Sequence, residues 1–100
     1  MKKKGRKDDT GKLRWSLLHW PSIEKVLEVS ELGARQYGDR NYRKVKNKRE
    51  RYFNALMRHA LTWYLGSVKD ADSGKLQMAH VVWNALALLE FDINKKKGRK

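Results

Sequence analysis

The sequence predicts an all-α protein, a small bundle of three main helices preceded by a short N-terminal helix. Apolar residues recur at helical spacing in three stretches, roughly 22–37, 48–65 and 75–91. No window alternates between apolar and polar residues for long enough to predict a strand. Because so much apolar sequence falls on three helices of a 100-residue chain, we expect oligomerisation, as a homodimer or homotetramer, to complete the bundle.

The first main helix has a start signal and a stop signal. Pro21 is favoured in a first turn and Ser22 as an N-cap, while Gly38 is well placed as the C-cap. A short helical turn is expected before it, at about 16–20. The positions expected to be buried on this helix are Ile23, Val26, Leu27, Ser30, Ala34 and Tyr37.

The second and third helices are separated by a polar turn. We expect Gly66 to end the second helix, Asp72 or Ser73 to cap the third, and the third to run to about Phe91. The buried stripe predicted for the second helix is Tyr52, Leu56, His59, Ala60 and Trp63. The stripe predicted for the third is Leu76, Ala79, Trp83, Leu86 and Leu89.

A line of polar residues crosses the otherwise apolar third helix. Gln77, His80 and Asn84 fall at i, i+3 and i+7, so they share one face. An unpaired buried amide or imidazole costs roughly 1–3 kcal/mol, so something must face this line. Both a hydrogen-bonded protein partner and a ligand satisfy that requirement, and the same two interpretations stay open for His59.

Two carboxylates lie on one face of the first helix. Glu28 and Glu31 are three residues apart, and hard divalent cations such as Mg²⁺ or Mn²⁺ prefer clustered oxygen ligands. The alternative is a solvated face in which Glu31 pairs with Arg35 at i+4. Spacing alone favours the solvated face.

Positive charge is concentrated in two tails and one loop. The formal net charge is +13, yet the repeated Lys-Lys-Lys-Gly-Arg-Lys tails hold ten of the 24 cations, and a further run spans 43–51. We expect residues 1–7 and 93–100 to be disordered basic tails flanking one domain at 8–92. Such tails either keep the protein soluble or bind nucleic acid nonspecifically.

Several classes of protein are excluded by the sequence. Cysteine is absent, and neither a membrane-spanning run of about 20 apolar residues nor a signal peptide is present. We therefore expect a cytoplasmic protein with no membrane partner. Walker A, dinucleotide-binding and metalloprotease motifs are also absent.

Five motifs occur in a fixed order along the chain: Asp9-Thr-Gly-Lys12-x-Arg14-Trp15, Glu31-x-Gly33-Ala34-x-x-Tyr37-Gly38-x-Arg40-Asn41-Tyr42, Ala55-x-x-Arg58-His59, Asp70-x-x-Ser73-Gly74 and Ala79-His80-x-x-x-Asn84. Together they resemble the N-terminal domain of dATP/dGTP diphosphohydrolases over about residues 8–92. That group is common in bacteriophages and related to the MazG-like all-α nucleotide pyrophosphatases.

The resemblance implies a Mg²⁺- or Mn²⁺-dependent enzyme that cleaves nucleoside triphosphates, purine dNTPs among them, to a monophosphate and pyrophosphate. It implies catalytic roles for Glu28, Glu31 and His80, and metal ligation by Glu28, Glu31, Gln77 and His80. Gln77 departs from the family pattern, which often has histidine there. The substrate-binding positions that it implies are Lys12, Arg14, Arg40, Asn41, Arg58, His59 and Asn84.

Two alternative functions fit the same sequence. The first is a helical module of phage type that binds nucleic acid or a host protein, using the basic tails and the 43–51 loop on nucleic acid. The second is a catalytically weakened relative that still binds nucleotides. Steeply salt-dependent DNA binding would favour the first, and nucleotide binding without pyrophosphate release would favour the second.

Overall fold

Residues 4–96, which the computed structural model describes, form three α-helices and two short 3₁₀ helices. The α-helices are α1 (Trp20–Tyr37), α2 (Lys48–Tyr64) and α3 (Gln77–Lys96), and the 3₁₀ helices are Trp15–Leu17 and Asn41–Lys44. Between residues 4 and 96 there is no strand, only an isolated antiparallel bridge between Lys69 and Leu76. The all-α prediction is confirmed. None of the described helices is long and apolar enough to cross a membrane.

Helix α1 begins slightly earlier than predicted and ends where predicted. It starts at Trp20 with Pro21 in its first turn, so the prediction of Ser22 as the N-cap is wrong. The Ser22 hydroxyl instead contacts His19 Nδ1 at 2.7 Å. Gly38 is the C-cap, with φ of 95° and its N–H donating to the Ala34 carbonyl at 2.8 Å. A β-carbon would strain that backbone, which explains the glycine.

Helix α2 matches its prediction closely, and α3 does not. α2 ends at Tyr64, and Gly66 follows with a φ of 114°. α3 begins at Gln77, so the prediction that Asp72 or Ser73 caps it is wrong.

The chain before α3 closes on itself instead of entering the helix. The Ser73 N–H donates to the Asp70 carboxylate at 2.8 Å, and the Gln77 N–H donates to the Val68 carbonyl at 2.8 Å. These bonds hold residues 68–77 as a turn that delays the helix. At its other end α3 continues to Lys96, so residues 93–96, predicted to be part of a disordered tail, are helical. The tail residues 1–3 and 97–100 lie outside the described part of the chain.

The buried apolar core is small. α3 packs against both α1 and α2, and the buried apolar residues are Val26, Val29, Ala79 and Ala87. Several residues predicted to be buried are instead exposed in the single chain, to between 45% and 70%: Leu27, Tyr37, Trp63, Leu86 and Leu89. Helical spacing identifies these residues as a stripe, but it does not say which neighbour covers the stripe.

The molecule is also extended for its length. Its radius of gyration is 17.9 Å, whereas a compact domain of this length has about 13 Å. Its accessible surface is 9079 Å², against roughly 6,000 Å² expected for a compact protein of this mass.

Candidate active site

A cavity of about 660 Å³ lies between the three helices. Its walls are the C-terminal half of α1 with the loop that follows it, one face of α2, and the first two turns of α3. Seven of the eleven predicted site residues line it: Glu31, Arg40, Asn41, Arg58, His59, His80 and Asn84. Sequence-distant residues with acidic, cationic, imidazole and amide groups therefore share one cavity.

Four predicted site residues do not line this cavity. Lys12 and Arg14 are exposed on the segment that precedes α1. Glu28 lies one helical turn before Glu31 and forms ion pairs with Lys25 at 3.4 Å and with Lys75 at 3.7 Å. The fourth residue, Gln77, is buried in the contact between α2 and α3.

The histidines of α2 and α3 stack on each other at the edge of the cavity. The rings of His59 and His80 are 4.3 Å apart between centroids and only 10° from parallel. His80 Nε2 contacts the Ser73 hydroxyl at 2.7 Å, and Asp70 lies 3.8 Å from His59 Nδ1 and 3.9 Å from His80 Nε2. The turn at 68–77 thus supplies the groups that position both rings. Asp70 and Ser73 were predicted only as part of a motif, and Ser73 as a cap, so this positioning role was not predicted from the sequence.

Gln77 connects α2, α3 and the turn. Its side chain is only 2% exposed. His59 Nδ1 donates to its amide oxygen at 2.7 Å, and its amide nitrogen donates to the Lys69 carbonyl at 3.2 Å. Both ends of the amide are therefore hydrogen-bonded to protein. Of the two partners considered for the polar line, Gln77 has a protein partner.

The electrostatics of this network favour an ionised Asp70 beside neutral imidazole. Burial lowers the pKa of His80, and the nearby charge of His59 lowers it further, while Asp70 partly offsets both. For Asp70, burial opposes ionisation, but hydrogen bonds from Ser73 and electrostatic attraction to the nearby His80 and His59 outweigh it and lower the pKa of the carboxyl. His80 is consequently uncharged near pH 7 and able to accept a proton.

Asn84 is oriented by its own helix. It is 3% exposed, and its amide nitrogen donates to the His80 carbonyl at 2.8 Å. Among residues 4–96 its amide oxygen makes no hydrogen bond, so it remains an acceptor at the cavity wall.

Aromatic rings form another wall of the cavity. Trp83 makes edge-to-face contacts with Tyr42 and Tyr52, at 5.3 and 5.7 Å between ring centroids. The Tyr42 hydroxyl also donates to Glu90 at 2.6 Å. Tyr42 and Tyr52 were not predicted as site residues, although Tyr42 directly follows the predicted Asn41. Tyr42 also ends the second of the five motifs, so both its adjacency and that motif pointed to it.

Arg40 sits in an unfavourable backbone conformation at the cavity. Its φ of 58° lies in the left-handed region, which costs a non-glycine residue on the order of 1 kcal/mol. It lies between the end of α1 at Gly38 and the 3₁₀ helix at 41–44, and it lines the cavity. Strained residues that the surrounding fold holds in place often occur at functional sites.

The carboxylates do not form a complete metal centre within the single chain. Between residues 4 and 96 there is no group of three or more acidic and histidine side chains placed to hold a metal ion. Glu31 lines the cavity and Glu28 precedes it by three residues on α1. Magnesium sites often take just one or two protein carboxylates, the substrate phosphates and water supplying the rest, so the donor set suits an ion that arrives with a nucleotide.

Both carboxylates are at least partly exposed, as the solvated alternative requires, but the ion pair that it expected is not formed. Glu28 pairs with lysines, as described above. None of the ion pairs found among residues 4–96 involves Glu31 or Arg35, so the Glu31–Arg35 pair is not observed. Glu31 is exposed and unpaired within the described chain.

Comparison with known proteins identified one matching family model, described as dATP/dGTP diphosphohydrolase, N-terminal, over residues 2–100. It confirms the resemblance found in the sequence motifs and extends beyond residues 8–92 at both ends. Neither the curated proteins nor the solved structures gave a match.

Replacing Gln77 by methionine tests whether this residue is structural. Methionine keeps the length of the side chain but leaves His59 and the Lys69 carbonyl without their partner. We expect a loss of roughly 1–3 kcal/mol in the free energy of unfolding in metal-free buffer. Each kcal/mol corresponds to a drop of about 4–8 °C in the thermal midpoint measured by circular dichroism.

The matched control for this variant is Gln36→Met, the same change at an exposed position on α1. Its thermal midpoint should stay within about a degree or two of the wild type, as for most surface substitutions. Equal midpoints for the two variants would contradict the structural role of Gln77.

Proposed function

Because the chain belongs to the dATP/dGTP diphosphohydrolase N-terminal family, we propose that it hydrolyses purine deoxynucleoside triphosphates in the cavity between α1, α2 and α3. Water attacks the α-phosphorus, and the bond between this phosphorus and the oxygen that bridges it to the β-phosphate breaks. The products are a monophosphate and pyrophosphate. The observation that carries this proposal is the convergence of Glu31, Arg58 and His80, from three different helices, on one cavity. Its size falls within the roughly 300–1,000 Å³ of small-molecule sites.

The triphosphate is held by arginine. Arg40 and Arg58 line the cavity, and a guanidinium donates two parallel hydrogen bonds to a phosphate. The strained backbone of Arg40 supports this role, since it fixes where the side chain leaves the loop. Asn41 adds an amide beside it. The assignment of Lys12 and Arg14 as phosphate contacts stays a prediction. The exposed segment that carries these two residues does not line the cavity of the same chain.

The base is held by the aromatic wall and by Asn84. The free amide oxygen of Asn84 accepts from the exocyclic amino group that adenine and guanine both carry. Trp83, Tyr42 and Tyr52 supply apolar ring surface beside it. The Asn84 oxygen disfavours thymine, which has no amino group, and the larger ring system of a purine covers more of the aromatic wall than cytosine does, which supports a purine preference.

The divalent cation is assigned to α1. Glu28 and Glu31 would hold Mg²⁺ or Mn²⁺ together with the phosphates of the nucleotide. When bound, such an ion neutralises phosphate charge and lowers the pKa of the attacking water. We leave Gln77 out of the ligand set because both ends of its amide are bonded to protein.

His80 accepts a proton from the attacking water. It is neutral near pH 7 because burial and His59 lower its pKa, and its Nε2 is fixed by the Ser73 hydroxyl. Among residues 4–96 its Nδ1 makes no hydrogen bond. His59, tied to Gln77, stacks on the ring and keeps it in position.

The active protein is an oligomer in this proposal. Along α3 an outward apolar stripe remains exposed, opposite the face that carries Gln77 and Asn84: Met78, Val82, Leu86, Leu89 and Ile93. Because α3 already packs against α1 and α2 on its other side, this exposed stripe needs a further partner, as expected of a helix inside a larger assembly. An exposed apolar stripe of this kind is the surface that obligate interfaces bury.

The substitution Glu31→Gln tests the catalytic assignment. It keeps the shape of the side chain and removes the charge that a cation requires. We expect kcat for pyrophosphate release from dGTP to fall by on the order of 10²-fold or more, since the cation stabilises the transition state by several kcal/mol. The thermal midpoint without metal should hardly change, because Glu31 is exposed and makes no ion pair among residues 4–96.

Glu24→Gln is the matched control, since Glu24 lies on the same helix outside the cavity. It should retain wild-type turnover. The assignment fails if Glu31→Gln also keeps wild-type turnover, and binding of Mn²⁺ measured by electron paramagnetic resonance shows whether the lost group is a metal ligand.

The oligomer is tested by Leu86→Glu, which places a charge in the middle of the α3 stripe. Burying an unpaired carboxylate at an apolar interface is costly, so the variant should dissociate to monomers. Size-exclusion chromatography with light scattering measures the mass. Asn54→Glu, an exposed polar position on α2, should keep the wild-type mass. A wild-type protein that is already monomeric would disprove this part of the proposal.

A further inference from the structure

The cationic loop between α1 and α2 is anchored to the C-terminal half of α3. Tyr42 and Arg43 both donate to the Glu90 carboxylate, each at 2.6 Å. The Lys48 ammonium lies 4.7 Å above the ring of Phe91 and donates to the Arg43 carbonyl at 3.1 Å. The loop therefore has a defined position beside residues 90 and 91.

This position brings two basic segments of the sequence to one end of the molecule. Lys95 lies four residues after Phe91, so it is on the same helical face one turn further on. α3 continues through Lys95 to Lys96. The loop and the basic end of α3 are more than 40 residues apart in sequence, and only the contacts with Glu90 and Phe91 show that they are neighbours.

The loop keeps exposed cations after its anchoring contacts are made. Arg43 and Lys48 make those contacts, whereas Lys44, Lys46, Arg49 and Arg51 take part in none of the ion pairs found among residues 4–96 and are exposed. Glu50 is the one acid in the 43–51 segment. Outside this segment and the two tails the sequence has eight cations against ten acids. Positive charge is thus confined to part of the molecule.

We propose that the exposed cations at this end of the molecule, Lys44, Lys46, Arg49, Arg51 and Lys95, which we call the basic end surface, bind the phosphate backbone of nucleic acid. Spaced cations are sufficient to hold a phosphodiester backbone without reading its sequence. An anionic membrane fits less well, because interfacial binding also requires apolar side chains to insert. The 43–51 segment has a single apolar residue, Val45, and it is half-buried.

This surface is distinct from the cavity. None of its five residues lines the cavity, and the loop residues that do, up to Tyr42, precede it in sequence. Nucleic acid bound to this surface would lie near the cavity of the same protein but would not fill the cavity.

The test compares two triple variants of the full chain that lose the same charge. Lys44→Gln, Lys46→Gln and Arg49→Gln together remove three cations of the basic end surface and spare the anchors Arg43 and Lys48. Lys25→Gln, Arg35→Gln and Lys69→Gln together remove three exposed cations elsewhere. Binding to a fluorescein-labelled mixed-sequence oligodeoxynucleotide, single-stranded and duplex, is measured by fluorescence anisotropy between roughly 50 and 200 mM salt.

We expect the first triple variant to bind about tenfold or more weakly, and the slope of log affinity against log salt to shrink by about 2 for the single strand. The second triple variant should have an affinity for the oligonucleotide much closer to that of the wild type. If both variants lost the same affinity for the oligonucleotide, the effect would be one of total charge, and the proposed binding surface would be wrong. Wild-type protein that binds phosphatidylglycerol vesicles but neither oligonucleotide would overturn the choice of partner. Pyrophosphate release from dGTP, measured alongside, reports separately on the cavity.

Discussion

Hydrogen bonds between α2, α3 and the turn before α3 are the contact on which the rest of the structure depends. The apolar core consists of four small residues, whereas Gln77 and Asn84 are the buried polar ones. Gln77 binds both His59 on α2 and the Lys69 carbonyl in the turn. Such a network is specific because each buried polar group must find its own partner or lose its hydration without compensation. It therefore fixes how the two helices face each other.

The same contact prepares the chemistry of the cavity. Burial and the neighbouring His59 lower the pKa of His80, and the stacked His59 ring and the Ser73 hydroxyl orient its imidazole. Arg58, one residue before His59, then lines the same cavity as Asn84, four residues after His80. Guanidinium, imidazole and amide groups are placed by one packing arrangement, and Glu31 of α1 lines the same cavity.

What the sequence predicted well was local. Gly38 and Gly66 mark helix ends because their backbone conformations are intrinsic to glycine. The polar line of Gln77, His80 and Asn84 correctly implied a partner, yet His59 and Lys69 could not be named, since no periodicity encodes which distant residue meets it. Leu86 and Leu89 fit a helical stripe, but their exposure depends on neighbours. Seven of the residues that the motifs named together line one cavity, a grouping that helical spacing alone does not encode.

The most direct test of this account is pyrophosphate release from each of the eight common NTPs and dNTPs, with Mg²⁺ and with Mn²⁺. We expect equal amounts of monophosphate and pyrophosphate, metal dependence, and a preference for dATP and dGTP. Release of orthophosphate would place the cleavage at another phosphorus. A folded protein that cleaves none of the eight nucleotides under either metal would contradict the account.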